Sequence, residues 1–484
     1  MKDDVEARKK RAKEEFEEVI TTYIMPLFDI RGNVSCSYGS YINSELVSIS
    51  KKDAGQATVC FYPQIGTNEK PSPFCYMAEI YPSEAMKKPA ASILRELLKV
   101  TEYQYNESFS IKRAYGKSNA RQSSYKNRTL DLAFELGMCQ WIVPGVEEKM
   151  HEAVVLHTII CRMLEWAGRT YEGKNVPFGI VIDFDKVADD NAADYLHFLT
   201  NDSSAVFTDG IFTGILLDKN GKVLSFLTRN TSSEKQIILE ERNIFVPYQF
   251  LDMAQYCVDA CIGIIVLTNG EILLIKNQAV QFAKRGSKWI CFDWNRVYSG
   301  LRRYFLAGGY KDETVIRKNI QEIYCTLLDV SFAHTGGCLA LVLPEKEADL
   351  DDVIKERIDL FIAGSVPDGI KKENIEKIEV LTYLLGAKKN NMNSFFEIEK
   401  PLRKEILTLD GATVVSMNGT FYCVGSIVAV PGGSPGGGRT AASQRLAQYG
   451  VGIKISEDGY IEAYGLDISN PNDSSNIVQI FKFR

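Results

Sequence analysis

The residues with the clearest chemical potential stand in two places near the C-terminus. Asp410 sits in LDGAT, between a helical pattern and an apolar run. An acid there leaves its carboxylate at a sheet edge, where it can hold a divalent cation beside a phosphate chain. Taken alone, Asp-Gly reads equally as a helix C-terminal turn with Gly411 in the left-handed conformation. The second place is PGGSPGGGR (431–439), where five glycines precede Arg439 and Thr440. Glycines let backbone N–H groups approach an anion closely, although such loops also serve as plain connectors. The following RTAASQRLAQYG has helical composition, so the loop would bring a helix N-terminus to a phosphate. Arg439 and Arg445 would add charge-assisted contacts. The run is not a Walker loop, because it lacks Gly-Lys-Ser/Thr, and no GxGxxG opens a helix after a strand.

The elements that must position these groups span residues 311–484. A helix over 313–332 leads into TGGCLALVLPE (335–345). A second helix, EIEKPLRKEILTL (397–409), runs into DGATVVSMNGTFYCVGSIVAV (410–430), and VGIKISEDGYIEAYG (451–465) closes the pattern. Strands alternating with helices predict an α/β or α+β domain, a mixed sheet flanked by helices.

In order and spacing this region resembles the diadenylate cyclase (DAC) domain. The likeness rests on HTGGCLALV (334–342), the Asp410-Gly411-Ala412 motif behind FFEIEKPLRKEILTL, the run Gly437-Gly438-Arg439-Thr440, and IKISEDG (453–459) with Ser456 at the family's Ser position. It covers about a third of the chain. In that family two domains face each other, each with one ATP, and join them into cyclic di-AMP. The resemblance implies that Asp410 is the catalytic ligand of Mg2+ or Mn2+. It implies that Gly411 and Ala412 line the nucleotide, that Gly437, Gly438, Arg439 and Thr440 contact phosphate, and that Ser456 completes the pocket. Homodimers or higher oligomers would follow. The chain departs from the family where an Arg-His-Arg triplet reads Arg439-Thr440-Ala441, with Arg445 the only candidate for a second arginine. One lost charge-assisted phosphate contact weakens binding by about 1.5–3 kcal/mol, and its loss from a transition state costs about a hundredfold in rate. The expectation is therefore a divergent, sensor-like relative that binds ATP or a cyclic (oligo)nucleotide, as in prokaryotic signalling and conflict systems. An active diadenylate cyclase is the alternative.

Ahead of this region, two further ones are expected. Residues 1–145 read as an α+β region led by a charged helix ending at Met25-Pro26. It includes strands near 57–63 and 74–82, a helix over 90–104, and a loop over 110–128 with six basic residues and no acid. Residues 146–310 begin with a helix stopped at Gly173 and a buried strand, FGIVIDFD (178–185). Three hairpins follow, turning at Asn220-Gly221, Asn269-Gly270 and Arg285-Gly286, and these predict a small antiparallel sheet or sandwich. No catalytic constellation and no internal repeat are visible there.

Composition bounds the functional classes. The 484 residues are 45% hydrophobic and 24% charged with net charge −6, which argues against general nucleic-acid binding and leaves the 110–128 segment as its one candidate. No apolar run reaches membrane-spanning length and no secretory leader opens the sequence. Eleven scattered cysteines predict free thiols in a reducing cytoplasm. Cys257 and Cys261 lie four apart with no second pair at finger-like spacing, and with only four histidines no zinc site is expected.

Overall fold

The computed structural model describes the chain from 119 onward except 144–149, 172–173, 196, 198–207, 229–243, 363, 365–370, 386–393, 431–436 and 470–475. Before 119 it describes mainly 17–28, 36–39, 47–52, 56–61 and 75–80. The first six residues of the glycine-rich run, residues 110–118 and most of 90–104 thus lie outside the described residues. The chain is α+β and divides into two compact units, Met1–Asn230 with Asp252–Cys291, and Thr231–Leu251 with Phe292–Arg484.

In the first unit, helices Asn119–Ile142 (α1) and Met150–Ala167 (α2) precede a seven-stranded sheet. Its strands are Phe178–Asp183 (β1), Thr213–Asp218 (β2), Val223–Thr228 (β3), Cys261–Val266 (β4), Ile272–Lys276 (β5), Ala279–Arg285 (β6) and Lys288–Cys291 (β7), in spatial order β3-β2-β1-β4-β5-β6-β7. The three expected hairpins form, but β2 runs parallel to β1, so the sheet is mixed and not antiparallel. A parallel pair needs a long crossover, and the 29 residues between Asp183 and Thr213 supply it. β1 is buried at all six positions, as expected of a central strand covered on both faces. The apolar residues of α2, among them Leu156, Ile159, Ile160 and Met163, pack with Ile180, Ile182, Ile262 and Ile264 in one core. A four-stranded antiparallel sheet in the order Cys36–Gly39, Cys75–Ile80, Gln56–Phe61, Val47–Lys52 completes the unit.

Three boundaries differ from the sequence reading. The first helix does not end before Pro26. A π-turn, Ile20–Ile24, widens the helix, which then continues without a break through Pro26 to Phe28; Pro26, which has no N–H to donate, follows directly on that widened turn. The second half of the basic segment 110–128 belongs to α1 and is not a loop. α2 ends at Ala167, ahead of Gly168.

In the second unit, helices Trp294–Ala307 (α3), Glu313–Ala333 (α4), Lys372–Leu384 (α5), Lys400–Leu407 (α6) and Gly438–Ala447 (α7) surround a six-stranded sheet. Its strands are Gly337–Val342 (β8), Ala412–Ser416 (β9), Phe421–Ser426 (β10), Gly450–Ile455 (β11), Ile461–Leu466 (β12) and Ile477–Phe483 (β13), in the order β10-β9-β8-β11-β12-β13. Asp312 caps α4 through the amides of Thr314 and Val315, a sequence-local start signal. β8 is apolar and buried throughout, because helices cover both faces of the sheet centre.

The two sheets share one topology. In each, a long helix enters a central strand, which pairs in parallel with the next strand and antiparallel with the fourth. The turns agree in register. Asp218 and Ser416 each begin an Asn-Gly turn, with Gly221 N donating to Asp218 O and Gly419 N to Ser416 O. Leu267 and Ser456 begin the other, with Gly270 N donating to Leu267 O and Gly459 N to Ser456 O. Gly263 and Gly452 then fall at matching places, and each lets a preceding segment lie on its strand. A Cβ on Gly263 would stand 2.5 Å from Cys257 Sγ, and one on Gly452 would collide with the Ser443 carbonyl of α7. The fold is thus present twice, although no repeat is visible in the sequence.

Candidate functional site

Asp410 stands between α6 and β9. It is exposed, and among the described residues its one hydrogen bond is that from Gly411 N to Oδ1, at 3.1 Å. Gly411 has φ +103°, and a Cβ there would lie 2.5–2.7 Å from backbone atoms of Gly425 and Ser426. A glycine is needed on both counts, and it presses the start of β9 against the end of β10. Ala412, the first residue of β9, is buried and lies behind the edge.

The register of β8 and β9 pairs Leu339 with Thr413, which sets Gly337 level with Gly411. On the other side of β8, Gly337 pairs with Ile455 at the end of β11, so Ser456 and Glu457 emerge at this same edge. Adjacent strands lie about 4.8 Å apart. One sheet edge therefore gathers Asp410-Gly411, Gly336-Gly337, Gly425-Ser426 and Ser456-Glu457.

Arg439 reaches that edge from the first turn of α7. Its guanidinium rests on Gly336, where a Cβ would stand 2.6 Å from Nη1 and where φ is +71°. Nη1 also donates to Glu457 Oε1 at 2.9 Å, in a pair whose side chains are 34% and 71% exposed. Burial pushes the Cys338 thiol up to about 12, Cys423 adds to the rise, and the Arg439 charge opposes it. Asp410 and Arg439 thus meet at one edge, about a strand apart.

The remaining expected residues divide. Gly437 (φ +84°) precedes α7 and Gly438 opens it, and a Cβ on either would meet no described residue within 4 Å. Thr440 is buried in the first turn of α7. Ser456 is at the edge, but its hydroxyl accepts from Tyr460 N at 3.1 Å and so closes its own turn. Arg445 does not join Arg439. It lies in the last turn of α7, six residues and about 9 Å along the helix, where Nη1 bonds Gln448 Oε1 at 2.5 Å. α7 then delivers the chain to Gly450, paired with Val342 at the opposite end of β8.

Four edge residues were given no role by the sequence reading, although three of them stand in motifs it singled out. Lys377, from α5, donates from Nζ to Gly425 O at 2.7 Å. A Cβ on Gly425 would lie 2.9 Å from both Lys377 Nζ and Asp410 O, so the ammonium neighbours the Asp410 turn. His334 caps α4 in the left-handed conformation with φ +55°. Its Nδ1 is 2.8 Å from Glu457 O and must be the donor, since a carbonyl only accepts. Gly336 and Glu457 complete the set. Gly336 was legible as part of the small-residue run, whereas Lys377 lies in a helix with no local signal.

Among the described residues, the equivalent edge of the first unit lacks the counterparts of Asp410, Gly336 and Ser456. By the shared register, Phe212 stands at the Asp410 position, Pro177 at Gly336 and Leu267 at Ser456. Phe212 is exposed there. The Asp209 carboxylate, three residues earlier, accepts from Ile211 N, Phe212 N and Thr213 N and is spent on its own turn.

Two cationic side chains, Arg439 and Lys377, stand at this edge of the second unit, and the exposed Asp410 carboxylate has capacity for one bond to a cation. A single carboxylate suits Mg2+ or Mn2+ arriving with phosphates better than a free ion, because Mg2+ characteristically takes one or two carboxylates and completes its shell with phosphate oxygens and water. The eight cysteines whose side chains are described are free thiols, and among the described residues no helix is long and apolar enough to cross a membrane. No family model, curated protein or solved structure matches this chain.

Proposed function

We propose that the C-terminal unit is a nucleotide sensor that binds the phosphates of ATP or of a cyclic (oligo)nucleotide at the edge between β9, β8 and α7. The supporting observation is the convergence of Asp410 and Arg439 on one sheet edge, with Lys377 between α5 and the Asp410 turn. Arg439 and the first amides of α7 take phosphate oxygens, and Lys377 adds charge on the other side. Asp410 faces a metal ion that neutralises the phosphate chain. Glu457 yields Arg439 at little cost, since an exposed ion pair contributes roughly 0–1 kcal/mol.

Catalysis is the second reading. A diadenylate cyclase must present two ATP molecules to each other, and the first unit offers Phe212, Pro177 and Leu267 where the second offers its polar edge. Each chain thus brings one competent edge, and cyclisation would need two chains. One edge per chain suits a cyclase dimer as well, so what favours sensing over synthesis is the eroded arginine motif, with Arg445 turned to Gln448 and away from Arg439.

Calorimetry with ATP and with cyclic di-AMP, with and without Mg2+, tests the proposal. One ligand per chain is expected, with Asp410→Asn and Arg439→Ala each weakening it. No binding of any nucleotide would end the proposal. Pyrophosphate and a cyclic product from ATP and Mn2+, rising with the square of protein concentration, would move the assignment to the enzyme.

A further inference from the structure

We propose that the first unit holds a zinc-class divalent metal ion between α1 and α2, ligated by Glu135 Oε2, His157 Nε2 and Cys161 Sγ. These three atoms lie within 4.8 Å of one another. Glu135 comes from α1, while His157 and Cys161 stand one turn apart on α2 and so share a face. His157 Nε2 is 3.5 Å from Glu135 Oε2 and 3.6 Å from Cys161 Sγ. A tetrahedral zinc ion with ordinary Zn–N, Zn–O and Zn–S bonds has ligand–ligand edges of about 3.3–3.6 Å.

Without a metal ion the group is a long ion pair and a thiol hydrogen bond sharing one nitrogen. Glu135 and Cys161 both converge on one imidazole nitrogen, which projects a single direction in the ring plane. The Glu135 separation also exceeds the roughly 2.9 Å of a good N–H···O bond. An ion between the three atoms serves all of them at once. The surroundings are those of a prepared ligand. Glu135 Oε1 accepts from Lys284 Nζ at 2.5 Å and from Trp289 Nε1 at 3.0 Å. Both bonds fall on the oxygen that does not face His157, so they aim Oε2 at the ion position. The Glu135 side chain is 5% exposed and that of His157 18%, and Cys161 is half-buried, so the donor set is walled on the sheet side and reachable from the helix side. Three protein donors leave the fourth tetrahedral position for water or an added ligand. The Lys284 charge opposes the dication but is balanced by the carboxylate and thiolate. The donors are spread as one residue on one helix and HxxxC on the next, which is why no finger-like spacing marks them.

The test uses the full-length chain, stripped with a chelator and titrated with Zn2+ against a chromophoric competitor, and with Co2+ followed by absorption. One equivalent of Zn2+ is expected, together with a thiolate-to-cobalt charge-transfer band in the near ultraviolet. Cys161→Ala should abolish the band, and His157→Gln should weaken Zn2+ binding at least tenfold. Arg439→Ala, in the other unit, should change neither. Circular dichroism establishes that each variant is folded. If a variant is not, Trp289→Phe, which keeps an aromatic ring in the core but removes the indole N–H that Glu135 accepts from, should still weaken Zn2+ about tenfold. Failure of the wild-type chain to bind one equivalent, or a charge-transfer band that survives Cys161→Ala, would overturn the proposal and leave a metal-free ion-pair cluster.

Discussion

Replacing Arg439 with alanine should separate binding from stability. In the unliganded fold its ion-pair partner is Glu457, in a pair 34% and 71% exposed. Such a pair contributes roughly 0–1 kcal/mol, so Arg439→Ala should leave the urea midpoint of the second unit nearly unchanged. In the bound state the same guanidinium donates to phosphate, a charge-assisted contact worth about 1.5–3 kcal/mol. Subtracting the pair that must open first leaves about 0.5–3 kcal/mol, or a rise in Kd for ATP of about 2- to 150-fold. Glu457→Gln offers the converse. The carboxylate occupies the guanidinium as a phosphate would, so its neutralisation should tighten binding by up to about fivefold. Calorimetry reads both variants. If Arg439→Ala leaves Kd unchanged while the chain stays folded, Arg439 does not touch the ligand. If Glu457→Gln weakens binding instead, Glu457 is positioning the arginine and not competing for it.

Gly411→Ala should destabilise the second unit by roughly 2–4 kcal/mol, because φ is +103° and the Cβ would enter the Gly425 and Ser426 backbone. Denaturant unfolding measures this, and a change under 1 kcal/mol would show that the β9–β10 edge relaxes freely. Asp329 is buried on α4, where desolvation raises its carboxyl to about 7 against the pull of the Tyr248 amide and of Lys400, Arg403 and Lys404. Its folded value lies above its unfolded one, so the native state keeps a proton that the unfolded chain releases between about pH 4 and 7. Stability is therefore lost as pH rises through that window, by at most roughly 4 kcal/mol. Asp329→Asn should flatten the profile, and an unchanged slope would refute the shifted carboxyl.

Much of this arrangement was legible in short segments. The turns expected at 220–221, 269–270 and 285–286 each close a hairpin, because positive φ at the glycine is a local requirement that local residues meet. Asp410 and Arg439 were legible as types suited to phosphate and metal. Their meeting was not, because it depends on β8 lying between β9 and β11, a long-range pairing with no local signal. Arg445 shows the limit from the other side. Helical spacing placed it near Arg439 in sequence, but α7 runs across the sheet, so each turn carries a residue farther from the edge. Lys377 reaches the Asp410 turn only through its bond to the Gly425 carbonyl of β10, 48 residues away in sequence.

The duplicated fold was hidden for a related reason. What the two sheets share is a pattern of buried strands and tight turns, and such a pattern tolerates wide exchange of apolar side chains. Ile180 and Leu339, or Ile262 and Val451, fill matching places without any identity to betray a repeat. What a repeat search would find most readily is a functional edge, because its residues answer to a ligand rather than to packing. That edge is where the units differ most, with Phe212 opposite Asp410 and Leu267 opposite Ser456. The common scaffold is held by constraints that many sequences satisfy, and only one copy retains groups that a phosphate would recognise. Phe212→Asp is the direct probe of this division. If the scaffold alone determines binding, the substitution should create a second nucleotide site and raise the calorimetric stoichiometry above one per chain. Because Pro177 and Leu267 still stand where Gly336 and Ser456 would be needed, the expected stoichiometry remains one.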